Sequence, residues 1–401
     1  MSATPLEPLE HALGLVLGRD APVPLPAARD PLAALEVALL PALRRSPCLV
    51  SFSGGRDSSA VLATAAALAR REGLPDPIPA TIRARGAAAA EESAWQELVV
   101  SHLGISDWMR LEVDDELDVV GPVAQRVLYR HGLLWPFNAH FHLPLLEAAS
   151  GGALLTGIGG DELFAAVASR RAPAVLAGRV RPQLRDARRI ALHLAPRPLR
   201  AWWHRREPVP FEWLTAEGRR AATGALAVAA AEEPRRMTAR TAFVRRARYL
   251  RVGTGALAGL AGDAAAEIVH PLLAPGVRGA VAAAAPRGGH LARSDGMRAL
   301  FGALLPGELL ARGDKACFDE VFFNRHSRAF AEHWSGGGMP AGLVDDTALA
   351  AHWRGGAPRA QSFTLLQAAW LASAGDRVEQ AAAGVGERVP SAGPAQPPHG
   401  Q

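Results

Sequence analysis

Residues Ser51–Ser59 (SFSGGRDSS) directly follow the apolar stretch Cys48–Val50. An apolar strand that ends in Ser-Gly-Gly and continues into a helical pattern can point several backbone N–H groups at an anion. Gly54 and Gly55 have no Cβ, so the backbone can approach a phosphate closely, and the neighbouring serines add hydroxyl donors. An ordinary Gly-Ser turn before a helix is the alternative. We interpret the stretch as a phosphate-binding loop.

Asp57 is the unexpected residue of this loop, because a carboxylate repels phosphate unless a cation lies between them. The sequence therefore implies Mg²⁺ between Asp57 and phosphate oxygens. The Ala- and Leu-rich residues Val61–Arg71 predict the helix whose N-terminal dipole faces the anion. The loop lacks the Gly-Lys-Ser/Thr ending of a Walker A motif and the G-x-G-x-x-G spacing of dinucleotide folds.

A second glycine-rich turn, Thr156–Phe164 (TGIGGDELF), follows another apolar stretch, Ala153–Leu155. In a parallel α/β sheet, ligands bind at the carboxyl ends of strands beside a switch point. Two such turns can therefore face one nucleotide. Asp57 and Asp161 would then supply two carboxylates for Mg²⁺, and the N–H of Gly157 would reach the adenine or ribose.

Lys315 is the single lysine among 44 basic residues. Since arginine fills the other cationic positions, a lone lysine indicates a site that needs a compact ammonium rather than a planar guanidinium. The alternative is that this lysine remains by chance and has no functional role. The surrounding stretch, Leu304–Phe318, contains Leu-Pro, then Arg-Gly-Asp-Lys, and ends in Phe.

These three segments resemble known motifs. SGGRDSS resembles the PP-loop of the N-type ATP pyrophosphatases, TGIGGDELF resembles the second signature of the asparagine synthetase superfamily, and Leu304–Phe318 resembles that superfamily's late LP…R…K…F segment. The resemblance spans about residues 47–330. It implies cleavage of ATP between the α and β phosphates and transfer of AMP to a carboxylate, followed by amide formation.

The resemblance also implies roles for individual residues. Lys315 and Asp161 would be catalytic, with Lys315 stabilising negative charge in the transition states, and Asp57 and Asp161 would bind Mg²⁺. The residues expected to bind ATP and pyrophosphate are Phe52, Ser53, Gly54, Gly55, Asp57, Ser58, Ser59, Ile82, Thr156 and Gly157.

The fold implied is an α/β, adenine nucleotide alpha hydrolase-like (PP-loop) core with a five-stranded, mainly parallel sheet and a helical C-terminal portion. The hydrophobic pattern agrees, since Ile78–Ile82 and Trp108–Val113 predict the second and third strands.

Two departures from the superfamily narrow the function. Glutamine-dependent members carry a glutaminase domain whose nucleophile is the cysteine after the initiator Met, whereas position 2 here is Ser2. We therefore expect a stand-alone synthetase domain, supplied with free ammonia, ammonia from a separate amidotransferase, or an amine of the substrate itself. In addition, Ile158 occupies the position where asparagine synthetases have Glu and β-lactam synthetases have Tyr, and isoleucine cannot accept a proton.

This combination resembles the macrolactam-forming cyclases of lasso-peptide pathways and other natural-product amide synthetases. The predicted partners are a carboxylate substrate and an amine donor, with a precursor peptide and a leader-binding protein as candidates. Two alternatives stay open. One is an asparagine synthetase that uses ammonia or a separate glutaminase, and the other is a catalytically degenerate protein that binds a nucleotide or a peptide.

The general base is not identified by the sequence. Four residues are candidates, although a structural role is the simpler interpretation of each. They are Glu267, His270, His140 and His142.

The composition is that of a cytoplasmic enzyme. The 401 residues are 49% hydrophobic, two cysteines are too few for a disulfide framework or a zinc cluster, and neither a signal peptide nor a bilayer-spanning apolar run is apparent. The net charge is +5, and arginines concentrate in residues 170–206 together with Trp202 and Trp203. We favour a solvated helical insertion there over a surface for an acidic peptide or partner, and both over a nucleic-acid site.

The sequence predicts four regions. Residues 1–45 form an N-terminal segment, and 46–335 form the ATP-binding domain with an Arg-rich helical insertion at about 171–234. Residues 336–383 are a helical extension, and 384–401 are a disordered tail rich in Gly, Pro and Ala.

Overall fold

Five parallel strands form a sheet in the order β3-β2-β1-β4-β5. The computed structural model describes residues 5–22, 29–167, 170–235, 237–286, 289–313 and 316–386. The strands are β1 (Cys48–Ser51), β2 (Ile78–Ala84), β3 (Met109–Val113), β4 (Ala153–Leu155) and β5 (Glu267–Val269). The predicted α/β class and the parallel sheet are confirmed, and β5 is the strand that the hydrophobic pattern alone did not assign.

The helices pack on both faces of the sheet and continue beyond it. They are α1 (Pro8–Leu13), α2 (Pro31–Leu43), α3 (Arg56–Arg71), α4 (Ser93–Leu103), α5 (Pro122–His131), α6 (Leu143–Ala148), α7 (Gly160–Val167), α8 (Arg171–Leu176), α9 (Asp186–Leu194), α10 (Arg197–His204), α11 (Ala216–Glu232), α12 (Met237–Arg245), α13 (Arg248–Asp263), α14 (Pro275–Ala284), α15 (Arg293–Phe301), α16 (Gly307–Ala311), α17 (Asp319–Phe322), α18 (Arg325–His333), α19 (Asp346–Arg354) and α20 (Phe363–Gly386).

The strand order places both glycine-rich turns side by side. The chain builds β2 and β3 on one side of β1 and then places β4 and β5 on the other side. Strands β1 and β4 pair directly, with Cys48 opposite Ala153 and Val50 opposite Leu155. The space between their carboxyl ends is therefore the topological switch point of the sheet, where open α/β folds bind ligands.

Helix α3 begins five residues earlier than predicted, at Arg56 rather than Val61. Gly55 caps the helix, and the Ser58 and Ser59 hydroxyls donate to the Gly55 carbonyl at 3.0 and 2.8 Å. Such bonds to the preceding turn let serine stay helical, although its propensity is weak. Asp57 consequently belongs to the first turn of a helix rather than to a loop.

The predicted outer segments pack into a shared hydrophobic cluster with the helical portion. This cluster contains Leu13 of α1, Phe363 of α20 and the fully buried Trp213 and Trp353. The Trp213 indole N–H donates to the Ala12 carbonyl at 2.8 Å. Residues 5–22 thus help build the core of the helical portion.

The predicted insertion lies within the described residues, whereas the predicted tail does so only in part. The region of the predicted Arg-rich insertion contains α8, α9, α10 and α11. Of the predicted disordered tail, residues 384–386 belong to α20, while 387–401 lie outside the described residues. Across the described part of the chain, none of the helices has both the length and the apolar composition of a membrane span.

Candidate active site

The two glycine-rich turns touch each other at the switch point. A Cβ on Gly157 would lie 2.7 Å from the Ser58 backbone nitrogen, and a Cβ on Gly160 would lie 2.1 Å from the Asp57 carboxyl carbon. Both distances are shorter than non-bonded atoms allow, so a side chain at either position would force the two turns or the Asp57 side chain to move. The glycines of the second turn therefore allow the first turn of α3 to approach α7 closely, which brings Asp57 next to the turn that carries Asp161.

Both predicted metal-binding carboxylates contact one guanidinium, that of Arg293 on α15. Arg293 Nη2 lies 2.6 Å from Asp57 Oδ1, and Arg293 Nη1 forms an ion pair with Asp161 Oδ1. The Asp57 side chain is 21% exposed and the Arg293 side chain 23%, whereas Asp161 is 58% exposed. The two carboxylates thus converge on a cation, with Asp57 on the buried side.

Burial raises the pKa of Asp57, and the neighbouring Asp161 raises it further, while the hydrogen bond and charge of Arg293 act in the opposite direction. The net direction is upward. Arg293 shows the complementary effect, since burial lowers its pKa but the two carboxylates outweigh burial and raise it. A buried carboxylate beside a second one requires a positive charge to stay ionised. The pair therefore fits a divalent cation as well as a guanidinium, and Asp57 and Asp161 are the residues that would hold Mg²⁺ together with phosphate oxygens.

The predicted phosphate-binding serines form a network around the start of α3. The Ser53 N–H donates to Ser58 Oγ at 3.3 Å, and the Gly55 N–H donates to Ser53 Oγ at 3.2 Å. Gly54 adopts φ of 81°, which positions its carbonyl to accept from the buried Arg312. Ser59 is fully buried and is engaged with the Gly55 carbonyl. The first N–H groups of a helix lack intrahelical partners, so this turn is suited to an anion.

A cavity of about 410 Å³ opens between the two turns. A cavity of this size fits a nucleotide-sized ligand. Its walls are Ser51, Ser53, Gly55, Arg56, Asp57, Ser58, Glu92, His142, Thr156, Gly157, Ile158, Gly159, Asp161, Glu162, Arg293, Arg312, Ala316 and Phe318.

The side chains of Phe52 and Ile82 are not part of the cavity wall. Phe52 is 2% exposed and packs edge-on against Trp108, and Ile82 is 8% exposed in the core on the opposite face of the sheet. The Phe52 N–H donates to the Ala80 carbonyl, and the Phe52 carbonyl accepts from Thr81 Oγ1. Contact of Phe52 and Ile82 with a nucleotide stays a prediction.

Lys315 lies outside the described residues, but the residues before and after it line the cavity. Arg312 on one side is buried, pairs with Glu92 at 2.5 Å and lies over the Trp95 ring. Ala316 on the other side also forms part of the wall. The described residues on both sides of Lys315 therefore border the cavity, and the role of Lys315 itself stays a prediction.

The structure separates the four candidate bases. Glu267 begins β5, at the amino end of the sheet, and pairs with Arg45 at 2.5 Å, away from the cavity. His140 is buried, and its Nε2 lies 2.9 Å from the Leu117 carbonyl. His270 Nδ1 lies 2.7 Å from Thr156 Oγ1. His142 is the one candidate of these four in the cavity wall.

His142 has the properties of a weak base inside the site. Its Nδ1 is buried and has no hydrogen-bond partner among the described residues. Burial, together with the proximity of His270 and His140, lowers the pKa of His142 to about 4. The imidazole is therefore neutral at pH 7, and its buried Nδ1 is unpartnered within the described residues.

Several site residues have no signal in the sequence that would have identified them. Arg293 is one among many arginines, and Glu92 is distant from every motif, whereas Arg312 lies in the Leu304–Phe318 segment that the sequence does distinguish. Glu162 could have been found, since it follows Asp161 directly. It lines the cavity and accepts from the Tyr249 hydroxyl at 2.9 Å. Burial and Glu162 together raise the pKa of Tyr249, so this tyrosine stays protonated.

Comparison with known families agrees with this geometry. A family model described as asparagine synthase matches residues 42–270, which include both glycine-rich turns and all five strands. No curated protein matches the chain.

Proposed function

Because this chain belongs to the asparagine synthase family, we propose that it joins a substrate carboxylate to an amine through an acyl-adenylate. Family membership supports ATP-dependent amide synthesis in general terms. The observation that carries the proposal is the convergence of Asp57 and Asp161 on one cation beside the N-terminus of α3. A cation between two carboxylates at a helix N-terminus suits a bound pyrophosphate.

In the first step a substrate carboxylate oxygen attacks the α-phosphorus of ATP, and the bond from that phosphorus to the bridging oxygen of the β-phosphate breaks. Pyrophosphate leaves toward Ser53 and the first turn of α3. Bound Mg²⁺ would neutralise charge on the phosphates. Arg293 supplies positive charge in the same cavity, and we propose that Lys315 acts there as well, since preorganised charge is the main contribution of proteins to phosphoryl transfer.

In the second step an amine nitrogen attacks the acyl carbon, the bond from that carbon to the phosphate oxygen breaks, AMP leaves and the nitrogen loses one proton. Ile158 lines the cavity where a basic residue would be expected, and it packs against the core. We assign proton acceptance to His142, whose neutral imidazole faces the same cavity. At pH 7 a base of this pKa accepts a proton only weakly, so the proposal requires an amine that arrives unprotonated.

The absence of an ionisable side chain at position 158 favours a substrate that carries its own amine over free ammonia. We therefore propose macrolactam formation or another natural-product amide synthesis, with a peptide or metabolite that presents both groups. Asparagine formation from ammonia is the alternative that uses the same cavity.

A second candidate function is a nucleotide-binding partner protein without catalysis. The observation that favours it is Arg293, which already balances Asp57 and Asp161 without a metal. Calorimetry separates the two functions. We expect ATP to bind at least about tenfold more tightly with Mg²⁺ than without it, because the metal bridges carboxylates and phosphates. Binding that is indifferent to Mg²⁺ would favour the partner protein.

The direct test is pyrophosphate release from ATP in the presence of a library of carboxylates and peptides, with adenylates trapped by mass spectrometry. Asp57→Asn and Lys315→Ala should abolish carboxylate-dependent release and keep the fold. Lys315→Arg should not restore it, since a guanidinium differs in shape and hydration from an ammonium. Asp76→Asn is the matched control, because Asp76 pairs with Arg70 on the surface. Unchanged release from Asp57→Asn would refute the assignment.

A further inference from the structure

A second group of cavities lies in the Arg-rich helices. It is separate from the cavity between the two glycine-rich turns, which we call the ATP cavity after its proposed ligand. The first encloses about 480 Å³ and the second, beside it, about 340 Å³. They share Arg200, Glu233, Pro234 and Arg235, so together they form one elongated depression, which we call the arginine groove. It is lined by Arg170, Arg171, Ala172, Pro173, Arg189, Leu192, His193, Arg197, Arg200, His204, Ala230, Glu232, Glu233, Pro234, Arg235, Ala239 and Arg240.

Some of these arginines are balanced within the chain. Arg171 and Arg189 pair with the buried Asp186, with nitrogen–oxygen distances of 2.7 and 3.3 Å. Glu233 pairs with Arg170 at 2.6 Å and with Arg240 at 2.9 Å. These two acids hold four of the guanidinium groups in place.

Arg200 and Arg235 are different, because within the described residues they pair with no carboxylate. Arg200 Nη1 donates to the Glu233 carbonyl at 2.9 Å, and Arg235 Nη2 donates to the Ala195 carbonyl. Arg200 is 9% exposed, and its buried Nε has no partner in the described part of the chain. Burial lowers the pKa of Arg200, and the nearby Arg235 and Arg197 lower it further, while the charge of Glu233 acts in the opposite direction. A buried guanidinium that pairs with no carboxylate is costly, so an anion bound in the groove would stabilise Arg200.

The shape and lining of the groove favour an extended ligand over a single phosphate. Ala172, Pro173 and Leu192 supply apolar surface between the guanidinium groups. Leu194, Leu199 and Trp202, on the same helices α9 and α10, are 53%, 49% and 47% exposed. Guanidinium groups bind carboxylates in a planar, bidentate manner.

The aromatic residues argue against a nucleic acid. Single strands bind by stacking bases on open aromatic faces. Here the Arg206 guanidinium lies 3.3 Å from the centre of the Trp202 ring, and the Arg188 guanidinium lies 5.0 Å from that of Trp203. One face of each tryptophan is therefore already covered by a guanidinium.

We propose that the arginine groove is a docking site for a peptide segment rich in carboxylates and apolar side chains. The site goes beyond the proposed amide synthesis, because none of the described residues lines both the groove and the ATP cavity. Peptide carboxylates accept hydrogen bonds from Arg200 and Arg235, and leucine-like side chains of the peptide contact Leu192, Ala172 and Pro173.

Fluorescence anisotropy with the full chain tests the proposal. The probe is a fluorescein-labelled dodecapeptide of repeated Glu-Glu-Leu, and the matched probe has Gln in place of Glu. We expect the Glu peptide to bind and the Gln peptide to bind at least about tenfold more weakly, since charge-assisted hydrogen bonds are lost. Arg200→Gln and Arg235→Gln should each weaken binding of the Glu peptide about fivefold or more. Arg220→Gln, an exposed arginine of α11 outside the groove, should change it less than about twofold.

Arg235 is exposed, so Arg235→Gln folds even if Arg200→Gln does not, and circular dichroism checks both variants. Equal binding of the two peptides, or unchanged binding in Arg235→Gln, would overturn the proposal. Tighter binding of a single-stranded oligonucleotide with the same dependence on Arg235 would also overturn it. Displacement of the Glu peptide by millimolar inorganic phosphate alone would point instead to a small-anion site. Because the assay contains no ATP, its outcome is independent of the amide synthesis.

Discussion

The ATP cavity and the arginine groove use the same residue type in opposite ways. In the ATP cavity, Arg293 lies between Asp57 and Asp161, and Arg312 pairs with the buried Glu92. In the groove, Arg200 and Arg235 donate to carbonyls and have no carboxylate within the described residues. The first site is balanced by ion pairs inside the chain. The second has a surplus of positive charge that the proposed peptide would balance.

The largest expected effect is a loss of ATP binding when a side chain is placed between the two glycine-rich turns. In Gly160→Ala the new Cβ would lie 2.1 Å from the Asp57 carboxyl carbon, so that carboxylate must move. We expect Mg²⁺-dependent ATP binding to weaken by about a hundredfold or more, since small displacements at a charged site cost several kcal/mol. Isothermal titration calorimetry measures the loss.

Gly259→Ala is the matched control for this substitution. Gly259 lies in α13, where a Cβ would meet no atom within 4 Å. Alanine should therefore stabilise that helix slightly and leave ATP binding unchanged. If Gly160→Ala bound Mg²⁺ and ATP as well as Gly259→Ala does, the close contact would have no role in the site.

The second prediction removes the guanidinium from the ATP cavity. Arg293→Ala leaves Asp57 and Asp161 without their shared cation, and Asp57 is largely buried. We expect a loss of about 2–3 kcal/mol in the free energy of unfolding at pH 7, because an unpaired buried charge remains. Millimolar Mg²⁺ should restore part of this loss by binding the native state.

Thermal unfolding with and without Mg²⁺ measures both effects. The control is Arg45→Ala, which breaks an ion pair with Glu267 at the amino end of the sheet, where the Arg45 side chain is 51% exposed. That variant should gain no more from Mg²⁺ than the wild type does. If Mg²⁺ stabilised Arg293→Ala and the wild type equally, the two carboxylates would not form a cation site.

The sequence located the two glycine-rich turns of the candidate site because their motifs are local. Each turn combines an apolar strand, glycines and an acid within about ten residues, and these determine where the backbone bends and where the carboxylate lies. The start of α3 was the local error, since serines that bond to the preceding carbonyl resemble a loop in sequence.

The rest depends on contacts between distant parts of the chain. Arg293 is 132 residues from Asp161, and nothing in its own stretch distinguishes it from the other arginines. For residues 170–206 the sequence favours a solvated insertion over a surface for an acidic partner, and only the structure shows that Asp186 and Glu233 pair with some arginines and leave Arg200 without a carboxylate among the described residues. Ion pairing of this kind follows from tertiary packing, which the sequence pattern does not record.

The third prediction concerns pH and the histidine of the ATP cavity. Burial holds the pKa of His142 at about 4, below the ordinary value of 6.5. Between these values the unfolded chain binds a proton that the native state does not, so stability falls as pH falls. From pH 7 to pH 5 this one group should cost about 1–2 kcal/mol.

Urea unfolding at the two pH values checks the sign and the size. His142→Gln should reduce the loss between pH 7 and pH 5, whereas the exposed control His102→Gln should not. His270, with a pKa also lowered to about 4 by burial, and the buried His140 should sustain the remaining dependence in the variant. An equal pH dependence in wild type and His142→Gln would show that His142 is not held neutral by the site.

The smallest expected effect is a change in the free energy of unfolding, and its sign should differ between the two arginine environments. In Arg235→Gln the groove loses one of several like charges, and Arg235 contributes a hydrogen bond to a carbonyl rather than an ion pair. We expect the free energy of unfolding to rise, or to stay within about 0.5 kcal/mol of the wild type, because reduced self-repulsion offsets the lost hydrogen bond. The same removal of an arginine is expected to be strongly destabilising in Arg293→Ala.

Unfolding both variants in low and moderate salt tests this difference. Salt screens repulsion among exposed charges and should bring the stability of the wild type closer to that of Arg235→Gln. A loss of 2 kcal/mol or more in Arg235→Gln, on the order expected for a buried ion pair, would mean that Arg235 is a structural residue and that the groove has no surplus charge to offer a ligand.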